Sequence, residues 1–430
     1  MRQMMSRIST ARWSERHAAL SVCVGSYFAV RLAQLLVSPV VPSLRGAFGA
    51  SRGAVGTILT GMWLVYACVQ LPSGAAGDRY GQRRVVLAAL GGTAVAALAL
   101  AAAPSLLAFG AVALLLGMGA GLYYTPATAL LAARFEDVGR VIGIHRVGSQ
   151  AAGLVAPALA TLLGARFGWR VVLGSGAVVT TLLLGVLLRR GPSAPRAVAR
   201  TDGGTAVRPR QVAAVLSRPP VAAAAALATV GEFAALATLS FLPTVLVEAH
   251  GLPLSTAGAL FGAYFVVVTA LQPVSGWLSD RLGRDAVTGA LFAVGAVGYA
   301  ALALGTTRAA ALPAVALVGV AMACGPPVQS RAVDALADAE CGVGFGAVRT
   351  AYILVAALGP VVVGTLADAA GWTAGIGLLA AMLAFAAVAL VGARLGGRGR
   401  RPTHGSSSDR YRPSRPSETP WRFSPPSPGR

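Results

Sequence analysis

The stretch Gly74-Ala-Ala-Gly-Asp78-Arg79-Tyr-Gly81-Gln-Arg83-Arg84 decides how this chain is read, because it recurs as Gly276-Trp-Leu-Ser-Asp280-Arg281-Leu-Gly283-Arg284. Gly74 and Gly276 stand 202 positions apart, and so do Asp78 and Asp280. Each copy closes a long apolar run. A charged, glycine-hinged turn that returns half a chain later, between bilayer-length segments, implies two homologous membrane halves.

Further anchors keep the spacing. Gly56 and Gly258 are 202 apart, while Arg146 and Arg349, Pro157 and Pro360, and Trp169 and Trp372 are each 203 apart. Several anchors at one offset are far harder to obtain by chance than a single glycine motif. Six apolar segments separate corresponding points, so the halves share one orientation about an axis along the membrane normal.

Composition points the same way. Hydrophobic residues make up 56% of the chain and charged residues 12%, against about 25% charged in a soluble domain. All 36 basic residues are arginine, and the net charge is +21. Those arginines concentrate in the N-terminal tail, the central loop, the C-terminal tail and short turns. No soluble domain is large enough to read bases, so the charge fits the positive-inside rule and argues against a nucleic-acid partner. Cys23, Cys68, Cys324 and Cys341 show no CxxC spacing and read as packing residues, giving neither a disulfide framework nor a metal site. No cofactor is implied.

The chain divides into twelve spans: 17–41, 54–76, 84–103, 105–131, 141–165 and 170–188, then 220–246, 255–278, 285–306, 309–331, 342–366 and 372–393. The expected organisation is an N-terminal tail (1–16), a six-helix bundle (17–188), a linker loop rich in arginine, proline and glycine (189–219), a second bundle (220–393) and a disordered basic tail (394–430). Arg79, Arg83, Arg84, Arg134, Arg140, Arg146 and the linker arginines fall on one face. The other holds only Arg45, Arg52, Arg166, Arg170 and Arg308. This bias puts both termini in the cytoplasm of a multi-pass inner-membrane protein, with Trp169 and Trp372 at the outer boundary.

On these residues the chain resembles the major facilitator superfamily, over roughly residues 17–395. The doubled motif carries the resemblance: Gly74, Asp78, Arg79, Gly81, Arg83 and Arg84, with Gly276, Asp280, Arg281, Gly283 and Arg284. It implies an all-α fold of two six-helix bundles around a central cavity that opens alternately to each side. Span 4 departs from the family pattern, with Ala113 where an arginine often precedes the Gly-x-Gly at Gly117 and Gly119. Span 5 reads Ala156-Pro157 where drug antiporters often have Gly-Pro, although Gly359-Pro360 keeps a version. These departures count against a proton-driven multidrug exporter without excluding one.

The motif also has a physical reading. Gly81 and Gly283 permit a tight reversal at φ values other residues avoid. Gly74 and Gly276 let a neighbouring helix approach closely. Asp78 can meet an arginine or a helix N-terminus of another span, while Arg79, Arg83 and Arg84 anchor the turn at anionic headgroups.

Two charges fall mid-span, Arg31 in the first helix and Glu232 in the seventh. Each costs about 2.5–3.5 kcal/mol at the bilayer centre, so each should face a cavity or a partner. Arg31 maps to residue 233 in the repeat, one place from Glu232. They can form a structural pair, or Arg31 can bind an anionic substrate group, or Glu232 can carry a coupling proton. Tyr27, one turn before Arg31, shares its face. Trp63, Tyr66 and Gln70 lie along one face of span 2, and Tyr123 and Tyr124 close the glycine segment of span 4. Tyr264, Gln272 and Gln329 are polar candidates in the second half, with helix packing the plainer reading of all these groups. His145 reads as interfacial.

The expected function is secondary active transport of a small organic solute by alternating access, coupled to protons: efflux of a drug or metabolite, or uptake of an organic anion. The partners are then a small molecule, membrane lipid and protons, with the protein a monomer. No GxxxxGK[ST] motif suggests ATP drive. A non-transporting receptor on the same scaffold is the alternative; an enzyme is disfavoured because no His, Asp or Glu cluster is spaced for chemistry.

Overall fold

Apolar runs of this length fold as helices because, away from water, the backbone must satisfy its own N–H and C=O groups. A computed structural model describes residues 2–135, 137–190, 209–305, 307–336 and 341–398. In chain order the helices are α1 (Arg2–Leu35), α2 (Val37–Phe48), α3 (Arg52–Tyr80), α4 (Gln82–Ala101), α5 (Leu106–Gly121), α6 (Tyr124–Ala132) and α7 (Val138–Arg190). The short α8 (Pro209–Leu216) precedes α9 (Pro219–Glu248), α10 (Leu254–Leu282), α11 (Arg284–Leu304), α12 (Arg308–Met322), α13 (Gly325–Asp334), α14 (Cys341–Ala356) and α15 (Gly359–Arg398).

Among the described residues, ten continuous runs are long and apolar enough to cross a membrane. Two of them, Arg140–Arg189 and Gly344–Leu395, have 50 and 52 residues. At 1.5 Å per residue each would measure roughly 75 Å, against a hydrocarbon core of about 30 Å. Each is broken by a glycine in a conformation closed to other residues, Gly168 (φ 78°, ψ 171°) and Gly371 (φ 80°, ψ 171°). Divided at these glycines, the ten runs are long enough for twelve crossings. The breaks sit at equivalent places in the two halves, as do the tight turns at Gly81 (φ 92°) and Gly283 (φ 90°).

Prolines explain the remaining interruptions. Pro39, Pro126, Pro327 and Pro360 lack the N–H a continuous helix needs, and each falls just after a break between paired helices. Residues 2–16 are helical in backbone and continue into the first span, since no glycine or proline stops them. The expected linker contains α8, and its residues 191–208 lie outside the described residues, as do residues 399–430 of the expected C-terminal tail.

Helices α1 and α4 pack on α7 and α3 packs on α5, while α11 packs on α12 and α9 on α14. Across the halves α10 lies against α7, α2 against α9 and α3 against α14. The cross-half seams reuse one device twice. A Cβ on Gly56 would stand 2.4 Å from the Pro360 carbonyl oxygen, and one on Gly258 would stand 2.6 Å from Thr161 Oγ1 and 3.4 Å from the Pro157 carbonyl oxygen. Only glycine permits the first approach. Large apolar side chains such as Leu107, Val95 and Phe385 are exposed on the outer surface, as lipid-facing positions require.

Candidate functional site

Arg31, near the end of α1 and midway along the His17–Phe48 apolar run, and Glu232, from the middle of α9, line the same two adjoining cavities, of about 170 Å³ and 160 Å³. Arg31 donates from Nε to Ser149 Oγ (3.2 Å) and from Nη1 to Gln34 Oε1 (2.7 Å), and its guanidinium lies 5.5 Å from the Trp63 ring centroid. Its Nη2 makes no hydrogen bond among the described residues. Arg31 and Glu232 do not form an ion pair. Two further arginines, Arg146 and Arg349, line the second cavity beside them. None of these four groups is ion-paired among the described residues, so three guanidinium groups and one carboxylate meet along one cavity wall.

Tyr27, Tyr66 and Trp63 also line the second cavity. Gln150 Nε2 donates to Gln272 Oε1 across the halves (3.2 Å), and Tyr264, Gln272, Gln329 and Tyr352 line the first. Tyr123 sits behind this wall. It is fully buried, donates its hydroxyl to the Cys23 carbonyl (2.6 Å), and lies 3.3 Å from His145 Nε2. Tyr124 lies against Tyr27 and under the Arg349 guanidinium, 5.5 Å away, without lining either cavity. His145 is not interfacial: it is fully buried, stacked on Tyr27 with centroids 4.8 Å apart. The helical register of α7 turns it inward while its neighbour Arg146 faces the cavity.

Arg349 was visible in the sequence only as a repeat anchor, and Arg146 as a repeat anchor and one of the arginines expected on the cytoplasmic face; both line the cavity. Their signal was the repeat itself: a matched arginine on the fifth and eleventh spans is a matched arginine on two cavity-lining helices.

The two ends of the bundle differ. Because α3 runs from Arg52 to Tyr80, its first and last turns mark opposite ends. At the Arg52 end, Glu248 accepts hydrogen bonds from Arg45 Nη1, from Arg52 Nε (2.9 Å) and from Trp372 Nε1 (3.0 Å). Asp368 accepts from the backbone N–H groups of Arg52 (3.0 Å) and Gly53 (2.7 Å), capping the start of α3. The Ser38 hydroxyl donates to the Ser240 carbonyl (3.3 Å), and Val361 N–H donates to Thr60 Oγ1 (3.0 Å). Apart from the Trp372–Glu248 bond, which lies within the second half, these bonds join residues before the linker to residues after it.

At the Asp78 end the doubled motif satisfies itself within each half. Asp78 accepts from Gln82 Nε2 (2.9 Å), and Arg83 donates to the carbonyls of Leu187 and Leu188. Arg284 binds Asp280 and Asp334, and Arg331 binds Asp285. Arg79 and Arg281 lie over the neighbouring rings of Tyr80 and Trp277. Gly74 and Gly276 face Thr125 and Pro326, where a Cβ would meet atoms at 3.2 Å and 3.4 Å. Among the described residues no three of His, Cys, Asp and Glu cluster to hold a metal.

Comparison with known proteins agrees with this geometry. A family model described as Major Facilitator Superfamily matches residues 23–337 and again 224–423. A chloramphenicol resistance protein of Streptomyces lividans is 31% identical over 360 residues, covering 81% of this chain and 87% of its own length. A gallate transporter of Pseudomonas putida is 26% identical over 376 residues, covering 79% and 82%. Among solved structures, an inward-facing, unoccupied bacterial homologue of the human lysosomal transporter Spinster superposes with a TM-score of 0.77 at 16% identity, covering 90% of this chain and 99% of that one.

Proposed function

Because the chain belongs to the major facilitator superfamily of membrane transporters, we propose that it carries a small organic anion through the Arg31–Glu232 cavity by alternating access, coupled to protons. The observation behind this reading is the charge of the cavity wall: Arg31, Arg146 and Arg349 against Glu232 alone. A site built to take a neutral drug has no use for three guanidinium groups, each costly to hold away from water. A carboxylate or sulfonate entering beside Arg31 meets the unoccupied Nη2 and finds charge-assisted donors already oriented. The gallate relative, whose substrate is an organic acid, favours the same reading over the chloramphenicol relative.

Glu232 supplies the coupling. As a carboxylate it repels an incoming anion and is attracted to the same arginines. A proton on Glu232 removes the repulsion and frees the arginines for the substrate, so proton and anion favour one another's binding; that mutual preference is reciprocal by linkage. Transport in the proton-gradient direction then follows from moving the loaded cavity between the two faces. The bundles of residues 17–188 and 220–393 are the moving bodies, with the Asp78 end toward the cytoplasm by the arginine bias. In the conformation described here the Arg52 end is held by hydrogen bonds between the halves.

The test is uptake of a membrane-impermeant organic sulfonate into proteoliposomes, with and without an inwardly directed proton gradient. Accumulation that needs both protein and gradient supports the reading. Uptake of neutral solutes alone would replace it with the drug-transport reading.

A further inference from the structure

We infer that the substrate is a ring-bearing organic anion bound in one orientation, with its charged head in the Arg31–Arg349 cavity and its uncharged ring in the adjoining cavity; this rests on the anion reading above. The two cavities share Arg31, Arg146 and Glu232, but they differ beyond that common wall. The residues that line only the smaller cavity include Arg349. Those that line only the larger one include no charged side chain at all.

The larger cavity is also shaped for a flat apolar group. Ala228, Gly231 and Ala235 fall on one face of α9 at helical spacing, and each lines it. A Cβ on Gly231 would stand 3.2 Å from Cys324 Sγ and 3.6 Å from the Phe292 ring, so the glycine lets α9 approach both closely and adds no side chain to this wall. Opposite stand Val268, Met322 and Val328, with the Tyr264 ring set edge-on to Phe265 at 5.2 Å. Apart from the shared Arg31, Arg146 and Glu232, the polar groups of this chamber are uncharged amides and phenols, Gln272, Gln329 and Tyr352 among them. They suit hydroxyl or ether substituents on a ring and offer nothing to a second formal charge.

The aromatic faces of the smaller cavity are already covered. Trp63 lies under the Arg31 guanidinium and edge-on to Tyr66, and Tyr27 is stacked on His145 and Tyr123. A ring is therefore directed to the larger chamber and the charge to the smaller.

Calorimetric titration of the full-length protein in detergent with benzoate, acetate and benzyl alcohol separates the two claims. Benzoate should bind at least about tenfold more tightly than either of the others, since only it uses both burial of a ring and charged hydrogen bonds. Arg31→Gln should bring benzoate down to the level of benzyl alcohol. Val328→Phe, which fills the larger chamber, should bring it down to the level of acetate without changing acetate binding; Met322→Phe is the second variant should that one fold poorly. Acetate binding as tightly as benzoate would overturn the ring chamber and leave the anion reading intact. Benzyl alcohol binding as tightly as benzoate, insensitive to Arg31→Gln, would overturn the anion reading itself. Failure of benzoate to bind at millimolar concentration would overturn both.

Discussion

An arginine in the middle of a membrane helix is costly enough, at about 2.5–3.5 kcal/mol, that its presence demands a use. Arg31 pays that cost to keep a planar donor fork fixed on Ser149 and Gln34 with one nitrogen unassigned. Arg31→Gln should weaken anion binding by tenfold or more, and Arg31→Lys should not rescue it, because lysine's single nitrogen lacks the planar fork that holds Ser149 and Gln34 on two nitrogens and leaves a third for the cavity. Titration of the two variants with the same anion checks this. Glu232→Gln should abolish gradient-driven accumulation while sparing anion exchange across vesicles, measured by counterflow. Tyr123→Phe should behave differently: it removes the buried bond to the Cys23 carbonyl, so thermal unfolding should show a loss of about 0.5–1.5 kcal/mol with anion affinity unchanged. At this scale the sequence announced Arg31 and Glu232 because charge is conspicuous in an apolar run. It could not distinguish Tyr27 and Tyr66, which line a cavity, from Tyr123, which is packed behind it, since all are tyrosines at helical positions and only the fold decides which way each turns.

At the scale of the helix, the spans were legible because a bilayer imposes one length on every crossing. The breaks within them were less so. Pro39, Pro126, Pro327 and Pro360 each mark a helix end that hydropathy alone runs through, and Gly168 and Gly371 turn the chain so tightly that consecutive crossings remain nearly continuous in backbone. The contacts between elements were invisible in a single sequence. Glu248 gave no sign that it would hold Arg45, Arg52 and Trp372 together, although those residues come from three helices in two halves. This network and the seam between Gly56 and Pro360 keep α3 against α15 at the Arg52 end. Glu248→Gln should loosen that end, so spin labels on Ala47 and Thr373, both exposed there, should report a longer and broader distance distribution than in the parent protein. An unchanged distribution would mean the glycine seam alone holds the end closed. Gly56→Leu should have the same direction of effect with a larger amplitude, because its side chain meets backbone that cannot move aside.

At the scale of the whole molecule the repeat was the clearest feature of the sequence, and the backbone repeats with it: the turns at Gly81 and Gly283 and the kinks at Gly168 and Gly371 share their dihedral angles. Such a molecule has two equivalent halves whose seams differ from end to end, which is the geometry alternating access requires. The orientation rests on the arginine bias. In a background without the native cysteines, Ser217→Cys and Thr307→Cys, both at exposed positions, should be labelled by an impermeant reagent from opposite sides of the membrane, Ser217→Cys only from the cytoplasm. The most direct test of the central claim is uptake of a radiolabelled, membrane-impermeant benzenesulfonate into proteoliposomes under an inward proton gradient. The account predicts accumulation above the equilibrium level by the parent protein, collapse of that accumulation by a protonophore, and its loss in Arg31→Gln. Accumulation that persists without the gradient, or that Arg31→Gln carries as well as the parent, would contradict it.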